Sequence, residues 1–202
     1  LGFLAAVPGF VAAFLAPKIV KKYDKMKVLM LCNLLNVIFG FAIFFCGWEN
    51  KTLFIVLNVL RAAPASIQGV LAFMFTPDCA EYGQYKSGIS AKGITFAIQT
   101  FSVKITGAVS SALALFLLGL FTFPKIETDS FAELAAMNIQ LSETATNGLW
   151  IVYALVPVIG MVISTFFYLG YKLNDKDVQI MAKCNSGEIT REEAEKLLSR
   201  KY

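Results

Sequence analysis

Five apolar runs dominate the 202-residue chain and leave few folds open to it. Four of them reach the ~20 residues that an α-helix needs to cross ~30 Å of hydrocarbon. Because the bilayer core offers no water to backbone N–H and C=O groups, such runs cross it as helices. The sequence therefore predicts an all-α polytopic membrane protein with a transmembrane bundle over residues 1–171 and a cytoplasmic, amphipathic tail over 172–202. The predicted spans lie at about 1–15, 28–48, 53–76, 93–123 and 148–171.

The first run is short and begins at residue 1. No initiator Met or basic stretch precedes it, and no small-residue cleavage site follows it, so a signal peptide is disfavoured. We expect a span cut near its start, in a chain that is a fragment of a longer protein.

Composition argues against several classes of function. Charged residues make up only 16% of the chain, against about 25% in soluble domains. The chain has no His, the residue on which many intramembrane enzymes and metal sites depend, and its four Cys form no CxxC pair. A soluble basic face with interleaved aromatic residues is also absent. We expect no enzyme, no cofactor, no metal site and no nucleic-acid partner.

The distribution of positive charge predicts the orientation. Segments 17–27, 77–92 and 172–202 hold 14 of the 18 Lys and Arg residues. The positive-inside rule assigns these three segments to the cytoplasm, so the C-terminus is expected inside a plasma membrane. The basic residues at the first membrane exit are expected to contact anionic lipid headgroups. They are Lys18, Lys21, Lys22, Lys25 and Lys27.

Arg61 and Lys104 are the only charged residues within the predicted spans. Each costs about 2.5–3.5 kcal/mol near the centre of a span, a cost usually tolerated for function. Arg61 fits either a buried pair that ties two helices together or a substrate-facing position. Lys104 lies near the midplane, where transporters bind ions and substrates, and no acidic residue in these spans can pair with it. Its partner must come from protein outside this chain.

Several uncharged polar residues also lie in the spans. Thr100 lies one turn before Lys104 and shares its helix face. Asn58 and Gln99, together with Arg61, are candidates for lining a substrate cavity. Polar side chains in lipid need partners, so hydrogen bonds between helices are expected for Asn33 and Asn36 and are the alternative to a cavity role for Asn58 and Gln99.

A long polar pattern follows the third run, in a segment expected to be a cytoplasmic loop. It reads Asp78-Cys79-Ala80-Glu81-Tyr82-Gly83-Gln84-Tyr85-Lys86, followed by Gln99-Thr100-Phe101-Ser102-Val103-Lys104. Asp78 and Glu81 are one helical turn apart and can face a basic partner at the membrane surface. Gly83 is expected to let the chain turn. The pattern resembles the signature of the glycoside–pentoside–hexuronide:cation symporters, the melibiose-carrier-like branch of the major facilitator superfamily.

The resemblance extends over the whole chain and implies helices 8 to 12 of a twelve-helix protein built from two bundles. It implies symport of a sugar or glycoside with Na⁺ or H⁺ by alternating access. Lys104, with Thr100, corresponds to the family's lysine near the cation site. The residues that correspond to elements closing the cytoplasmic gate are Asp78, Glu81, Tyr82, Tyr85 and Lys86.

Some features depart from the family pattern or lie outside the chain. Ser90-Ala91-Lys92 stands where the family often carries an Arg and an acidic residue, so the charge pairing of the gate is expected to differ. The carboxylates that hold the cation and the sugar would come from the N-terminal six-helix bundle. Two alternatives stay open: a lipid or lysolipid carrier of the same fold, and a non-transporting membrane sensor or assembly subunit.

Two peripheral segments carry helix signals. Ser130 and Glu133 fit the start of a short external helix that reaches Ala136. In the tail, Thr190 and Glu193 form a capping-box pattern, so the tail is expected to form two short helices separated at 185–187.

Overall fold

The computed structural model describes residues 2–124, 130, 132–133, 137 and 139–202, and every regular element in these ranges is helical. We number the α-helices in chain order, with a π-helical turn at Ile151–Leu155 between α5 and α6. The α-helices are α1 (Gly2–Lys22), α2 (Lys25–Cys46), α3 (Lys51–Ser87), α4 (Lys92–Leu120), α5 (Glu143–Trp150), α6 (Val156–Leu169), α7 (Asp175–Asn185) and α8 (Arg191–Leu197).

Four helices are long and apolar enough to cross a membrane: α2, α3, α4 and the continuous helix Glu143–Leu169, which we call the last span. The prediction of an all-α polytopic membrane protein is confirmed. α1 is not among these four, so the first of the five spans stays a prediction.

Polar side chains cap the helices that follow short connections. Asp24 accepts a hydrogen bond from the backbone N–H of Met26 at 3.0 Å and begins α2. Asn50 accepts one from Leu53 N–H at 3.1 Å and begins α3. These contacts satisfy N–H groups that the first helical turn leaves without partners.

The expected loop after the third run is largely helical. α3 continues through the polar pattern to Ser87 and is about 55 Å long, well beyond the ~30 Å of the hydrocarbon core. The prediction that Gly83 turns the chain is wrong, because Gly83 lies inside the helix. Gly88 ends α3 instead, with a positive φ of 73° that glycine adopts without strain.

α3 is the central element of the packing and contacts α1, α2, α4 and the tail helix α7. Val28, Leu29 and Cys32 of α2 pack with Leu71 of α3 in a buried apolar cluster. α4 differs from its neighbours, since none of its side chains is buried. One long helix face therefore lies open beside the bundle.

Amide side chains connect α2, α3 and the last span inside the apolar region. Asn33 Nδ2 donates to Thr165 Oγ1 at 2.8 Å and to Met161 O at 3.1 Å. Gln68 accepts from Asn36 Nδ2 at 2.9 Å and donates to Asn33 Oδ1 at 3.2 Å. The prediction of hydrogen bonds between helices for both asparagines is confirmed.

The two peripheral expectations have different outcomes. The external helix expected from Ser130 to Ala136 falls mostly outside the described residues. In the tail, the capping box is confirmed: Thr190 Oγ1 accepts from Glu193 N–H at 3.3 Å, and Glu193 Oε2 accepts from Thr190 N–H at 2.8 Å. α7 and α8 are separated by a turn that includes Gly187, whose φ is 81°.

Gly40 permits the close approach of α2 to the last span, because a methyl group at this position would overlap the side chain of Val158. We predict that Gly40→Ala lowers the stability of the protein by about 1–3 kcal/mol, the usual cost of overpacking. Thermal unfolding of the purified protein in detergent measures the change. Gly160→Ala is the matched control, since a methyl group there meets no described atom within 4 Å. Equal midpoints for the two variants would contradict the prediction.

Candidate functional site

Lys104 lies on the open face of α4. Its side chain is exposed, and in the part of the chain that the structure describes no hydrogen bond or ion pair reaches it. Thr100 donates its hydroxyl to Phe96 O of its own helix at 3.0 Å. The cation-site candidates therefore have no acidic partner among the described residues.

Arg61 and Asn58 lie on a different side of α3. An Arg61 Nη atom is 3.9 Å from Met161 Sδ of the last span, and its guanidinium carbon lies beside Gly40 of α2. Asn58 Oδ1 accepts from the hydroxyl of Tyr153 at 2.8 Å. Both residues therefore face the last span and not α4. No carboxylate pairs with Arg61 within the described ranges, so the ion pair considered for it is not found there.

Gln99 does not join Arg61 and Asn58. Its Nε2 lies 3.5 Å from Ala72 O, where α4 meets α3. The three cavity candidates are thus divided between two interhelical contacts. The structure does not bring them into one cavity.

An apolar cavity of about 320 Å³ lies where the last span meets the α2–α3 connection. Two polar atoms of its aromatic lining already have partners: Trp150 Nε1 donates to Phe44 O at 3.1 Å, and the hydroxyl of Tyr153 donates to Asn58 Oδ1 at 2.8 Å. A sugar would find few free hydrogen-bonding groups there. The lining residues are Trp48, Phe54, Thr146, Leu149, Trp150 and Tyr153.

At the opposite end of α3, Lys25 holds together three parts of the chain. Its ammonium lies 2.5 Å from Asp78 Oδ2 of α3 and 3.3 Å from Asp175 Oδ1 of α7. Its backbone N–H donates to the other Asp175 oxygen at 2.9 Å. The side chains of Lys25 and Asp78 are only 13% and 9% exposed. A mostly buried charge cluster therefore joins the start of α2, the end of α3 and the tail.

Glu81, one turn further along α3, forms a second set of contacts. Its Oε1 lies 2.5 Å from the ammonium of Lys92, the first residue of α4. Its Oε2 accepts from Asn185 Nδ2 at 2.8 Å, and its backbone carbonyl accepts from the same group at 2.9 Å. Lys92 thus supplies a basic partner within the segment that departs from the family pattern.

The remaining residues of the pattern differ in their surroundings. Tyr85 is buried against the tail, with the Arg191 guanidinium 5.1 Å from its ring centroid. The Tyr82 ring stacks edge-on against Tyr202 at 5.9 Å. Lys86 is exposed on the surface of the same helix. The two tyrosines therefore contact the tail.

Asp177 holds the tail in this conformation. It accepts hydrogen bonds from the hydroxyl and the backbone N–H of Ser199 at 2.5 and 3.0 Å, from the hydroxyl of Tyr202 at 2.7 Å and from Asn174 Nδ2 at 2.8 Å. Burial alone would raise the pKa of Asp177, but these hydrogen bonds outweigh it and lower the pKa below its ordinary 3.8. Burial and the Asp177 contact raise the pKa of Tyr202 to about 12.

The sequence did not identify the partners of Asp78 and Glu81. The expectation that Lys25 contacts lipid headgroups is wrong, because this residue is enclosed by two carboxylates. Lys18, Lys21, Lys22 and Lys27 are exposed, and for them the headgroup contact stays a prediction. Asp175 is 150 residues from Lys25 along the chain, and no local pattern relates residues at that separation.

Removal of the Lys25 ammonium should destabilise the protein, because Asp78 and Asp175 would keep buried negative charge without a counter-ion. We predict that Lys25→Met costs about 3 kcal/mol, as for other broken buried pairs. Adding Asp78→Asn should recover part of this loss. A double-mutant cycle by thermal unfolding measures the coupling. Strictly additive effects would contradict the prediction.

Comparisons with known proteins agree with these features. A family model described as MFS/sugar transport protein matches residues 1–175. The uncharacterized symporter YnaJ of Bacillus subtilis is 25% identical over 90% of this chain and 37% of its own length. The glucuronide carrier protein homolog of Escherichia coli is 26% identical over 87% of this chain and 35% of its own length.

The isoprimeverose transporter of Lactiplantibacillus pentosus is 27% identical over 57% of this chain and 22% of its own length. The chain therefore spans about a third or less of the length of these curated relatives. No solved structure is significantly similar to it. Because the family model covers most of the residues, the chain belongs to the MFS/sugar transport protein family.

Proposed function

We propose that the chain forms the C-terminal part of a cation-coupled sugar symporter that works by alternating access. The observation that carries the proposal is the exposed Lys104 on α4, a helix without buried side chains. An ammonium in the bilayer interior costs about 2.5–3.5 kcal/mol, so it requires a partner. An N-terminal bundle packed on α4 would supply carboxylates to Lys104 and form the Na⁺ or H⁺ site beside it and Thr100.

A sugar or glycoside is the proposed substrate. The name of one similar protein states that it is a symporter, and the names of two others state carriage of a glucuronide and of isoprimeverose. Gln99, where α4 meets α3, is the cavity candidate nearest to the proposed cation site. Arg61 and Asn58, which face the last span, are proposed to hold the bundle together.

The ion pairs at the end of α3 are proposed to act in the cytoplasmic gate. Alternating access requires one end of the bundle to close while the other opens. Closely packed charge pairs give such an end two discrete arrangements, a closed one in which the pairs are formed and an open one in which they are broken. Asp78 and Glu81 would hold the gate through Lys25 and Lys92. Tyr82, Tyr85 and Lys86 lie on the same segment of helix.

The proposed location is the plasma membrane, with the C-terminus in the cytoplasm. The charge distribution along the sequence supports this orientation. The basic end of α1, the polar end of α3 and the tail also lie at one end of the bundle, since Lys25 contacts both Asp78 and Asp175. A single cytoplasmic end therefore accommodates all three segments.

The role of Lys104 is tested with Lys104→Val in the complete transporter. We expect coupled uptake of radiolabelled sugar to fall to background, because the cation site loses its charge partner, while expression in the membrane stays unchanged. Val103→Ala, a neighbouring exposed position on α4, is the matched control and should retain uptake. Normal, ion-dependent accumulation by Lys104→Val would refute the coupling role.

A further inference from the structure

We propose that the tail helix α7 positions the cytoplasmic gate, with Asp175 and Asn185 as its positioning residues. This inference rests on the proposed gate function of Asp78 and Glu81. Asp175 is the first residue of α7 and Asn185 is the last. One end of the helix therefore contacts Lys25, the partner of Asp78, and the other end contacts Glu81 itself.

At its first residue, α7 acts on Lys25. The Asp175 carboxylate accepts from the Lys25 backbone N–H at 2.9 Å and lies 3.3 Å from its ammonium, the same ammonium that pairs with Asp78. Asp175 N–H in turn lies 3.3 Å from Asp24 Oδ2. Lys25 is therefore held through both its backbone and its side chain by the start of the tail helix.

At its last residue, α7 acts on Glu81. Asn185 Nδ2 donates to both the carboxylate and the backbone carbonyl of Glu81, at 2.8 and 2.9 Å. The carboxylate oxygen that pairs with Lys92 is the other one. Asn185 thereby fixes the Glu81 side chain in the orientation in which it reaches α4.

Between these ends, apolar contacts dock α7 and α8 beneath α3. Tyr85 is buried in a cluster with Met181 and Ala194, and Cys184 packs against its edge. Apolar contacts are not directional, so they would tolerate a shift of α7 along α3. The hydrogen bonds at the two ends specify one register, in which both acids meet their lysines. The tail thus fixes the positions of the charged side chains at the end of α3, in addition to covering this end of the bundle.

The docking of α7 through Asp175 and Asn185 is tested in the complete transporter, in inside-out membrane vesicles that expose the tail to the medium. Cys184 is half-buried in the docked tail and reports its release through the rate of labelling with a membrane-impermeant maleimide, in a Cys79→Ser background that removes an exposed thiol. Asp175→Asn breaks the contact at the far end of α7 from the probe. We expect labelling to accelerate roughly tenfold, the change that accompanies the loss of one charge-assisted contact.

The variant Asn185→Asp keeps the shape of the side chain but replaces its donor with a negative charge facing Glu81. It should accelerate labelling more than Asn185→Ala. Lys176→Gln and Gln179→Ala are matched controls, because both positions are exposed on α7, and both should label at the parental rate. Unchanged labelling in Asp175→Asn and both Asn185 variants would refute the proposal that these two residues hold α7 in place.

Transport kinetics in the same vesicles test the positioning role. We expect Asp175→Asn and Asn185→Asp to lower the maximal rate of uptake at least threefold with KM unchanged, since the gate is altered and substrate contacts are not. Faster labelling with unchanged uptake kinetics would refute the role of α7 in positioning Asp78 and Glu81, because release of the helix would then have no effect on the gate. Failure of the symport proposal is distinguishable, because the parental transporter would then show no cation-dependent uptake of sugar, whatever the labelling rates of the variants.

Discussion

The absence of hydrogen-bonding solvent in the bilayer is the constraint on which this structure depends. It makes helices the stable form for the long apolar runs, and it requires each polar side chain within them to find a partner. The asparagines of α2 satisfy this requirement through Gln68, Thr165 and the Met161 carbonyl. Lys104 does not satisfy it within the described chain. An unmet requirement of this kind supports the proposal that further protein covers α4.

α3 connects the apolar region of the bundle to the end that carries the tail. Within the bilayer it packs against α1 and α2, and beyond the bilayer the same helix carries Asp78, Glu81 and Tyr85 beneath the tail. Asp78 and Glu81 lie one helical turn apart at the end of α3, so a movement of this end would displace both ion pairs together.

Two buried or intramembrane cations have different environments in this bundle. Lys25 is close to two carboxylates, and its charge stabilises the junction of three segments. Arg61 contacts the sulfur of Met161 and lies beside Gly40. The apolar stem of the arginine side chain and the polarisable sulfur lower the cost of burying the guanidinium without neutralising its charge. The same residue class thus serves as an ion-pair centre in one place and as an interhelical contact in the other.

Hydropathy and local spacing predicted the all-α membrane class, the family resemblance, interhelical hydrogen bonds for the asparagines of α2 and the capping box at Thr190. These depend on hydropathy and on spacings within one or two helical turns, which a linear pattern records directly. Three features followed only from the packing of the helices: the continuation of α3 to Ser87, the pairing of Lys25 with Asp78 and Asp175, and the orientation of Arg61 toward the last span. These features depend on which helices meet in space, and residues 150 positions apart carry no local signal of such a contact.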